Sequence, residues 1–324
     1  MGPASVSVQV NPDQLEEYRR ELTGYCYRML GSSFEADDAV QETMLRAWRA
    51  AGSFEGRSSV RSWLYRIATN ICLDMLRSRQ RRAMPMDLGP ASPPIESMMG
   101  EPRADDIWVS PIADSRVLSG DPAEIAVSRE SIRLAFVAAL QHLPARQRAA
   151  LILCEVLKMP AAEAAATLDT TVPAINSALQ RARATIAEVS LDGPPSGSPD
   201  SGLIDRYVDA FQRYDISALI KMLHDDAVMS MPPFSMWVRG SMDIAEFMRL
   251  PAVQVCRGSV FIPVPSGRVN GVQALAQYRP APGGGFTPWC LQVHEASGGR
   301  FSRLTYFLDC ERLFPGFGLP PRLS

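Results

Sequence analysis

The chain has 324 residues, 46% of which are hydrophobic, and a formal net charge of −2 at pH 7. A chain of this length can bury sizeable cores, and we expect it to form two or three domains rather than one. Its apolar runs fall short of the roughly 18 residues that a membrane-spanning helix needs. The first residues also lack the basic end and the apolar centre of a signal peptide. We therefore expect a cytoplasmic protein that does not associate with membranes.

The cysteines are scattered singly along the chain, at Cys26, Cys72, Cys154, Cys256, Cys290 and Cys310. No two of them have the spacing of a metal site or of a redox pair. Single cysteines of this kind usually behave as small buried apolar residues. The sequence therefore predicts no disulfide, no zinc and no other cofactor.

The first two predicted helices differ in charge. Pro12 suits a helix start, and the apolar spacing predicts one helix over residues 12–31. Ser32 or Ser33 begins a second helix over residues 34–51. The predicted inner stripe of that helix consists of Ala39, Val40, Met44, Leu45 and Trp48. Its acidic opening, Glu35, Asp37, Asp38 and Glu42, either favours the helix dipole or forms a docking face for a basic partner.

Residues 59–82 carry a local concentration of positive charge. Between positions 57 and 82 there are seven arginines, no lysine and one carboxylate. At about 100° of turn per residue, one face of the predicted helix carries Val60, Leu64, Ile67, Ile71 and Met75. An adjacent arc carries Arg66, Asn70, Asp74, Arg77 and Arg81. We therefore expect one side of this helix to lie in a protein core and the next side to face a polyanion.

An acidic linker follows over residues 84–121. It carries seven carboxylates against two arginines, Arg103 and Arg116, together with many prolines. Such a composition predicts an extended segment without a core of its own. The negative charge either keeps the linker solvated or lets it occupy a channel that nucleic acid otherwise uses.

Helices are predicted again from residue 122, and they end in a helix-turn-helix pattern over residues 145–157, 160–168 and 172–189. In the last helix the predicted inner side is Ile175, Leu179, Ala182 and Ile186. The outer side carries Asn176, Ser177 and Gln180, flanked by Arg181 and Arg183. In a major groove, amide and hydroxyl groups would reach base edges and guanidinium groups would reach phosphates. The alternative is an ordinary solvated helix face.

A Pro/Gly/Ser-rich linker over residues 190–202 marks a domain boundary, and a small α+β domain is predicted over residues 203–316. Two helices come first, and a curved antiparallel sheet is expected after them, with strands at 227–231, 259–264, 272–278, 289–295 and 303–308 and a helix at 242–250. Candidate acid/base residues are His224, Asp225, Asp226, His294 and Asp309. A structural role is the alternative for each of them, and His294 is expected to point to solvent in that case.

Four ordered blocks carry a family resemblance: DDAVQETMLRAWR, SVRSWLYRIATNICLDMLR, LPARQRAALILCEVL and VPAINSALQRARATI. Their order and spacing resemble the extracytoplasmic-function (ECF) group of sigma-70 factors. The C-terminal domain resembles the SnoaL-like, NTF2-like cone that sigma factors of the sigma-G and sigma-J types carry. The resemblance implies a multidomain fold, with two all-α domains at 12–83 and 122–189 and an α+β cone at 203–316.

The resemblance also implies roles for named residues. Asp38, Gln41, Glu42 and Arg46 would dock on the largest subunits of core RNA polymerase. Residues 52–58 and the basic helix, with Arg66, Asn70, Asp74, Arg77 and Arg81, would read the −10 promoter element. Asn176, Ser177, Gln180, Arg181 and Arg183 would read the −35 element. Trp63 would either stack on an unpaired base or pack at the core edge.

In the family, a linker like residues 84–121 passes through the active-site cleft and the RNA exit channel of polymerase. The implied partners are core polymerase and promoter DNA, with an unidentified small ligand in the cone. Two positions depart from the family pattern: Asp169 stands at a turn that usually has glycine, and Pro173 suggests a later start of the last helix. The implied protein is a sigma factor without catalytic residues whose cone modulates it. The alternative is a DNA-tethered SnoaL-like enzyme or a ligand-sensing regulator.

Overall fold

The computed structural model describes residues 12–56, 58–77, 81–95, 100–104, 107–118, 125, 128–188 and 197–324. The chain divides into two compact units. The helical unit comprises residues 1–82, 109–112 and 116–191, and the cone unit comprises residues 83–108, 113–115 and 192–324. None of the described helices has the length and apolarity that a membrane crossing requires.

The helical unit is built from two groups of helices. The first group is α1 (Pro12–Glu16), α2 (Arg19–Leu30), α3 (Ser33–Ala50) and α4 (Val60–Arg77). A short helix, α5 (Asp114–Val117), follows in the linker. The second group is α6 (Leu134–Gln141), α7 (Ala145–Leu151), α8 (Ala161–Thr167) and α9 (Val172–Glu188). A π-helical turn, Ile152–Val156, continues α7.

Local residue choices explain the ends of the first helices. The single helix predicted over residues 12–31 is wrong, because the chain turns between α1 and α2. Gly31 ends α2 with φ of +70°, a left-handed conformation that glycine adopts at low cost. The side chain of Ser32 then accepts a hydrogen bond from the backbone N–H of Glu35 at 3.3 Å, which begins α3.

The basic helix is buried along a different arc from the predicted one. Leu64 and Ile71 are buried as predicted, whereas Val60, Ile67 and Met75 are only half-buried. The buried residues of α4 instead centre on Tyr65, Ala68 and Cys72. The difference arises because α4 packs against helices of both groups, α2 and α3 on one side and α7 and α8 on the other. Arg81 lies beyond the end of the described helix, so its predicted place on the helical arc is wrong.

The helix-turn-helix prediction is confirmed by α8, the turn and α9. Asp169 takes the left-handed conformation, with φ of +49°, at the turn where glycine is usual in the family. The prediction of a delayed start for the last helix is wrong, because α9 begins at Val172. Proline in the first turn needs no N–H partner, so Pro173 is compatible with this start. Residues 122–124, 126 and 127 of the helix predicted from residue 122 lie outside the described residues, and the described part is divided into a 3-10 turn, Glu130–Ile132, and α6.

Arg148 joins the two groups of helices inside the helical unit. Its guanidinium group donates to the carbonyl oxygen of Met29 near the end of α2 and, at 2.6 Å, to Oε1 of Gln141. It also donates to the carbonyl oxygens of Gln141 and Leu143, each at 3.1 Å. Burial lowers the pKa of Arg148 to about 10, so the group still carries its charge at neutral pH.

The cone unit contains one six-stranded sheet and four helices. The helices are α10 (Ser201–Gln212), α11 (Ile216–Lys221), α12 (Ser241–Arg249) and α13 (Cys310–Gly316). The strands are β1 (Leu223–Ser230), β2 (Trp237–Arg239), β3 (Val260–Val269), β4 (Val272–Pro280), β5 (Phe286–Ser297) and β6 (Arg300–Phe307). The order across the sheet is β2-β1-β6-β5-β4-β3.

The expectation of a purely antiparallel sheet is wrong. β1 and β6 pair in parallel, while the other neighbouring strands pair antiparallel. Strand β2, which is three residues long, was also missed. Alternation within a strand indicates which side chains share a face, but it carries no information about the direction of the neighbouring strand.

Described residues of the segment 83–108 are hydrogen-bonded to the edge strand β2 of the cone unit and to the residues before it. The backbone N–H of Ser92 donates to the carbonyl oxygen of Trp237 at 2.7 Å, and the indole N–H of Trp237 donates to the carbonyl oxygen of Gly89 at 2.9 Å. The N–H of Arg103 donates to the carbonyl oxygen of Pro233 at 2.9 Å. The acidic linker is therefore hydrogen-bonded to the cone over part of its length. We call residues 84–121 the connector.

Candidate nucleic-acid interface

The exposed face of α4 keeps most of the predicted arc together. Arg66, Asn70, Asp74 and Arg77 are all exposed. Asp74 and Arg77 form an ion pair at 3.0 Å, with most of each side chain in solvent. Arg81, beyond the helix, is exposed and lies 2.8 Å from Nδ1 of His142. The face therefore presents guanidinium and amide donors to solvent, and its one carboxylate is already paired.

A pocket of about 380 Å³ lies at the start of this face. Ser58, Ser59, Ser62, Trp63 and Arg66 line one side of it, and Glu163, Ala166 and Thr167 of α8 line the other. Trp63 is half-buried, and its ring lies 4.9 Å from that of Phe54. Trp63 therefore packs on a neighbouring ring and also lines a pocket, and its stacking on an unpaired base stays a prediction.

The outer face of α9 carries the residues that the sequence predicts there. Asn176, Gln180, Arg181 and Arg183 are exposed, and Ser177 is half-buried. The inner residues Ile175, Leu179 and Ala182 are buried. Arg181 donates to Oγ of Ser177 at 2.7 Å, and Arg183 pairs with Glu155 at 2.6 Å. The structure thus adds Glu155 to this surface, because α9 packs beside the segment that follows α7.

The outer face of α3 carries two apolar residues that the sequence predicts on the inner side. Asp38, Gln41 and Arg46 are exposed, and Arg46 pairs with the half-buried Glu42 at 2.6 Å. Two residues of the predicted inner stripe, Leu45 and Trp48, are 41% and 61% exposed. Helical angles could have revealed this, because both residues fall on the arc of Asp38 and Gln41 and opposite Ala39 and Thr43. The face is therefore partly apolar as well as charged.

The candidate acid/base residues of the cone are not assembled into one site. His224 pairs with Asp226 at 2.5 Å, and both are at least 38% exposed. Asp225 pairs with Arg300 at 3.6 Å, and Asp309 with Arg312 at 3.5 Å. His224, Asp225 and Asp226 lie in β1, which begins at Leu223 and therefore before the predicted start at residue 227.

His294 is buried, so the expectation that it points to solvent is wrong. Its Nε2 lies 3.0 Å from Oε1 of Gln292, which also accepts from the hydroxyl of Tyr207 at 3.0 Å. The rings of Tyr207, Phe301 and Tyr306 surround the imidazole edge-on, at 5.1 to 5.7 Å between centroids. Desolvation lowers the pKa of His294 from 6.5 to about 3. It is therefore a neutral core residue at physiological pH.

Comparison with known proteins agrees with this division of the chain. Residues 15–82 match Sigma-70 region 2, and residues 133–186 match Sigma-70 region 4. Residues 201–257 match the nuclear transport factor 2 (NTF2) domain. The first two matches contain α4 and α9 respectively, so the two candidate reading faces belong to different matched regions.

Among the relatives of known identity, one aligns with almost the whole chain and another with about half of it. The ECF RNA polymerase sigma factor SigG of Mycobacterium tuberculosis (strain ATCC 25618 / H37Rv) is 42% identical over 314 residues, which cover 95% of this chain and 83% of that protein. The chain belongs to the ECF RNA polymerase sigma factors. SigM of the same organism, also an ECF sigma factor, is 35% identical over 55% of this chain and 76% of its own length.

A solved structure supports the fold of this ECF sigma factor. The crystal structure of Mycobacterium tuberculosis extracytoplasmic function sigma factor SigJ covers 96% of this chain and 100% of that chain, with a TM-score of 0.59. Its sequence identity is 21%. The fold class predicted from sequence, two helical sigma regions followed by an NTF2-like domain, is therefore confirmed.

The buried imidazole predicts a pH dependence of stability. The unfolded chain binds a proton near pH 6.5 that folded His294 binds only near pH 3. Stability should therefore fall as the pH drops from about 6.5 towards 3, by up to about 1.4 kcal/mol per pH unit from this group. Urea unfolding of the full chain at several pH values, compared with that of His294→Asn, isolates this contribution. Equal slopes in the two proteins would contradict it.

Proposed function

We propose that this sigma factor reads a promoter at two points, the −10 element with α4 and the −35 element with α9, while α3 docks on core polymerase. The observation that carries the proposal is that two exposed helix faces with guanidinium and amide donors lie in the two separate sigma regions. Phosphate contacts from arginine would position the DNA, and amide groups would reach bases. The protein would direct initiation through binding alone, since the chemistry belongs to polymerase.

The −10 element would be bound as an opened strand. Unpaired bases need pockets and stacking surfaces, and their phosphates need cations. The pocket beside Trp63 supplies a space of about 380 Å³ lined by hydroxyl groups. Arg66 and Arg77, exposed on the same face of α4, would contact phosphates. Asn70 lies between them and would contact a base.

The −35 element would be read as a duplex. Gln180 and Asn176 are exposed on α9, one helical turn apart, which suits contacts with neighbouring bases in the major groove. Arg181 would contact a phosphate on one flank. Arg183 would also contact a phosphate, in place of its present partner Glu155. The Arg183–Glu155 pair is largely solvent-exposed and therefore weak.

Core polymerase would dock on the outer face of α3. Charged residues there, Asp38, Glu42 and Arg46, would steer the approach, because exposed charges affect association more than final affinity. The exposed Leu45 and Trp48 would supply the apolar contact. Exposed tryptophan is a residue type that frequently dominates the binding energy of interfaces.

The cone would modulate the sigma factor through the connector. In the family resemblance, this segment enters the active-site cleft and the RNA exit channel of polymerase. Here it is hydrogen-bonded to the edge strand β2 at Gly89 and Ser92, and to Pro233, which precedes that strand, at Arg103. A segment cannot occupy both places at once. The cone would therefore restrain initiation until these hydrogen bonds are exchanged for contacts with polymerase.

Gln180→Ala is expected to change −35 preference. The loss of a bidentate base contact should cost about 1–3 kcal/mol of discrimination at the base concerned. Run-off transcription with purified core polymerase, on promoters selected from genomic DNA and then randomised at −35, measures this preference. Arg181→Ala is the matched variant, and it should lower output on all sequences alike. An unchanged preference in Gln180→Ala would show that this residue does not read the element.

Trp48→Ala is expected to weaken the binding of core polymerase. A central aromatic residue of an interface typically contributes about 2 kcal/mol or more, which corresponds to a loss of about 30-fold in affinity. Titration of labelled full-length protein with core polymerase measures the affinity. Met242→Ala is the control, because Met242 is 66% exposed on the cone. Equal affinities of the two variants would exclude α3 as the dominant contact.

Trp237→Ala is expected to release part of the connector and to raise promoter output. The change removes the indole donor to Gly89 and the packing surface of β2. Hydrogen exchange at the Ser92 amide should become faster, since its acceptor is the carbonyl oxygen of the same residue. Run-off transcription in parallel reports the functional effect. Faster exchange together with lower output would contradict a restraining cone.

A further inference from the structure

The first turn of α9 carries an exposed apolar side chain, Val172. It is 38% exposed, and among the described residues 128–188 no other large hydrophobic side chain is as exposed. Val172 begins the helix, and the exposed residues Pro173 and Ala174 follow it. The guanidinium groups of Arg181 and Arg183 stand in the second half of the helix. The first turn of α9 therefore presents apolar side chains to solvent, whereas its second half presents cations.

Val172 continues the row of residues that are proposed to contact bases. Val172, Asn176 and Gln180 follow one another at intervals of four residues. Residues at this interval are neighbours on a helix surface, and successive members rise by about 6 Å. The row therefore spans about 12 Å, which corresponds to about four base pairs of a duplex. In helix-turn-helix proteins the first residues of the recognition helix contact base edges, so Val172 has the position of a base-reading residue.

The start of α9 holds Val172 in a fixed place. Oγ1 of Thr171 accepts a hydrogen bond from the N–H of Ala174 at 3.4 Å, and the carbonyl oxygen of Thr171 accepts from the N–H of Ile175 at 3.0 Å. Ile175 is itself buried. Valine has one strongly preferred side-chain rotamer in a helix. A contact made by Val172 would therefore cost little conformational entropy.

The group that fits an exposed valine in the major groove is the 5-methyl group of thymine. Thymine is the base that carries a methyl group there, whereas the other groups that distinguish the base pairs are hydrogen-bond donors and acceptors. Valine offers no hydrogen bond, so a polar base edge would lose water against it without gaining a partner. Burial of one methyl group against Val172 should raise affinity about fourfold, the value of about one buried CH₂ group.

We propose that Val172 is a specificity-determining residue, which selects a thymine in the −35 element by contact with its 5-methyl group. The contact rests on the proposed reading of the −35 element by α9 and adds a residue to it. The length of the row places this thymine within about four base pairs of the pair that Gln180 reads. Arg181 and Arg183 would hold the duplex at its phosphates, and Val172 would contribute to the choice of sequence.

Selection of binding sites tests first whether Val172 sets a base preference. Holoenzyme reconstituted from core polymerase and the full-length protein would select from promoters randomised at −35. The wild type should enrich thymine, on either strand, within about four base pairs of the position whose preference changes in Gln180→Ala. Val172→Ala should lose that enrichment. Val255→Ala is the matched control, because this valine is 47% exposed on the cone, and it should select the same sequences as the wild type.

Uracil in place of the selected thymine then removes the methyl group and keeps every base-pairing group. Wild-type holoenzyme should bind the uracil promoter about fourfold more weakly than the thymine promoter. Val172→Ala holoenzyme should bind the two promoters equally. Its affinity for both should match that of the wild type for the uracil promoter. Titration of labelled Val172→Ala protein with core polymerase should give the wild-type affinity.

Three results would overturn the role of Val172. The wild type could enrich no thymine, the uracil effect could persist undiminished in Val172→Ala, or this variant could lose affinity for core polymerase while its base preference stays unchanged. The last result would assign Val172 to a contact with polymerase. Equal binding of selected and scrambled −35 sequences by the wild type would show that α9 does not read the element, and the proposed −35 function would then fail together with the role of Val172.

Discussion

The helical unit depends on one buried cation, Arg148. Its guanidinium group takes the carbonyl oxygen of Met29, at the negative end of the α2 dipole, together with oxygens of Gln141 and Leu143. Without the guanidinium group these buried acceptors would lose that donor, and a buried polar group left unsatisfied typically costs about 1–3 kcal/mol. The charge thus links two groups of helices that carry separate sigma regions. Because the acceptors of Arg148 are neutral, their positions fix how the two groups of helices meet, but the contact lacks the attraction of an ion pair.

The proposed reading surfaces are the faces of α4 and α9 that this packing leaves exposed to solvent. α4 contacts helices on two sides, so its buried arc includes Tyr65 and Cys72, and the arc of Arg66 to Arg77 stays in solvent. The same logic leaves Leu45 and Trp48 exposed on α3. An apolar residue that is exposed on its own domain is available to a partner. A face with an excess of guanidinium groups is available to DNA.

In the proposed function the cone contributes restraint, and its candidate acid/base residues are not assembled into one site. His294 lies inside a polar row with Gln292 and Tyr207, where desolvation lowers its pKa to about 3 and keeps it neutral. The edge strand β2 would be open to unwanted pairing, and the connector covers it through backbone hydrogen bonds. A single set of contacts can therefore protect the sheet edge and hold this part of the connector.

The sequence by itself determined most of the helices, the helix-turn-helix, the order of the matched regions and the family, because these follow from local spacing and from motifs that are contiguous in the chain. It predicted the exposed arc of α9 and most of that of α4 for the same reason. Only the tertiary structure decided that β1 and β6 run parallel, that His294 is in the core, and that Glu163 meets Ser62. Each of these depends on residues distant in the chain, and periodicity within one element does not specify the element that packs against it.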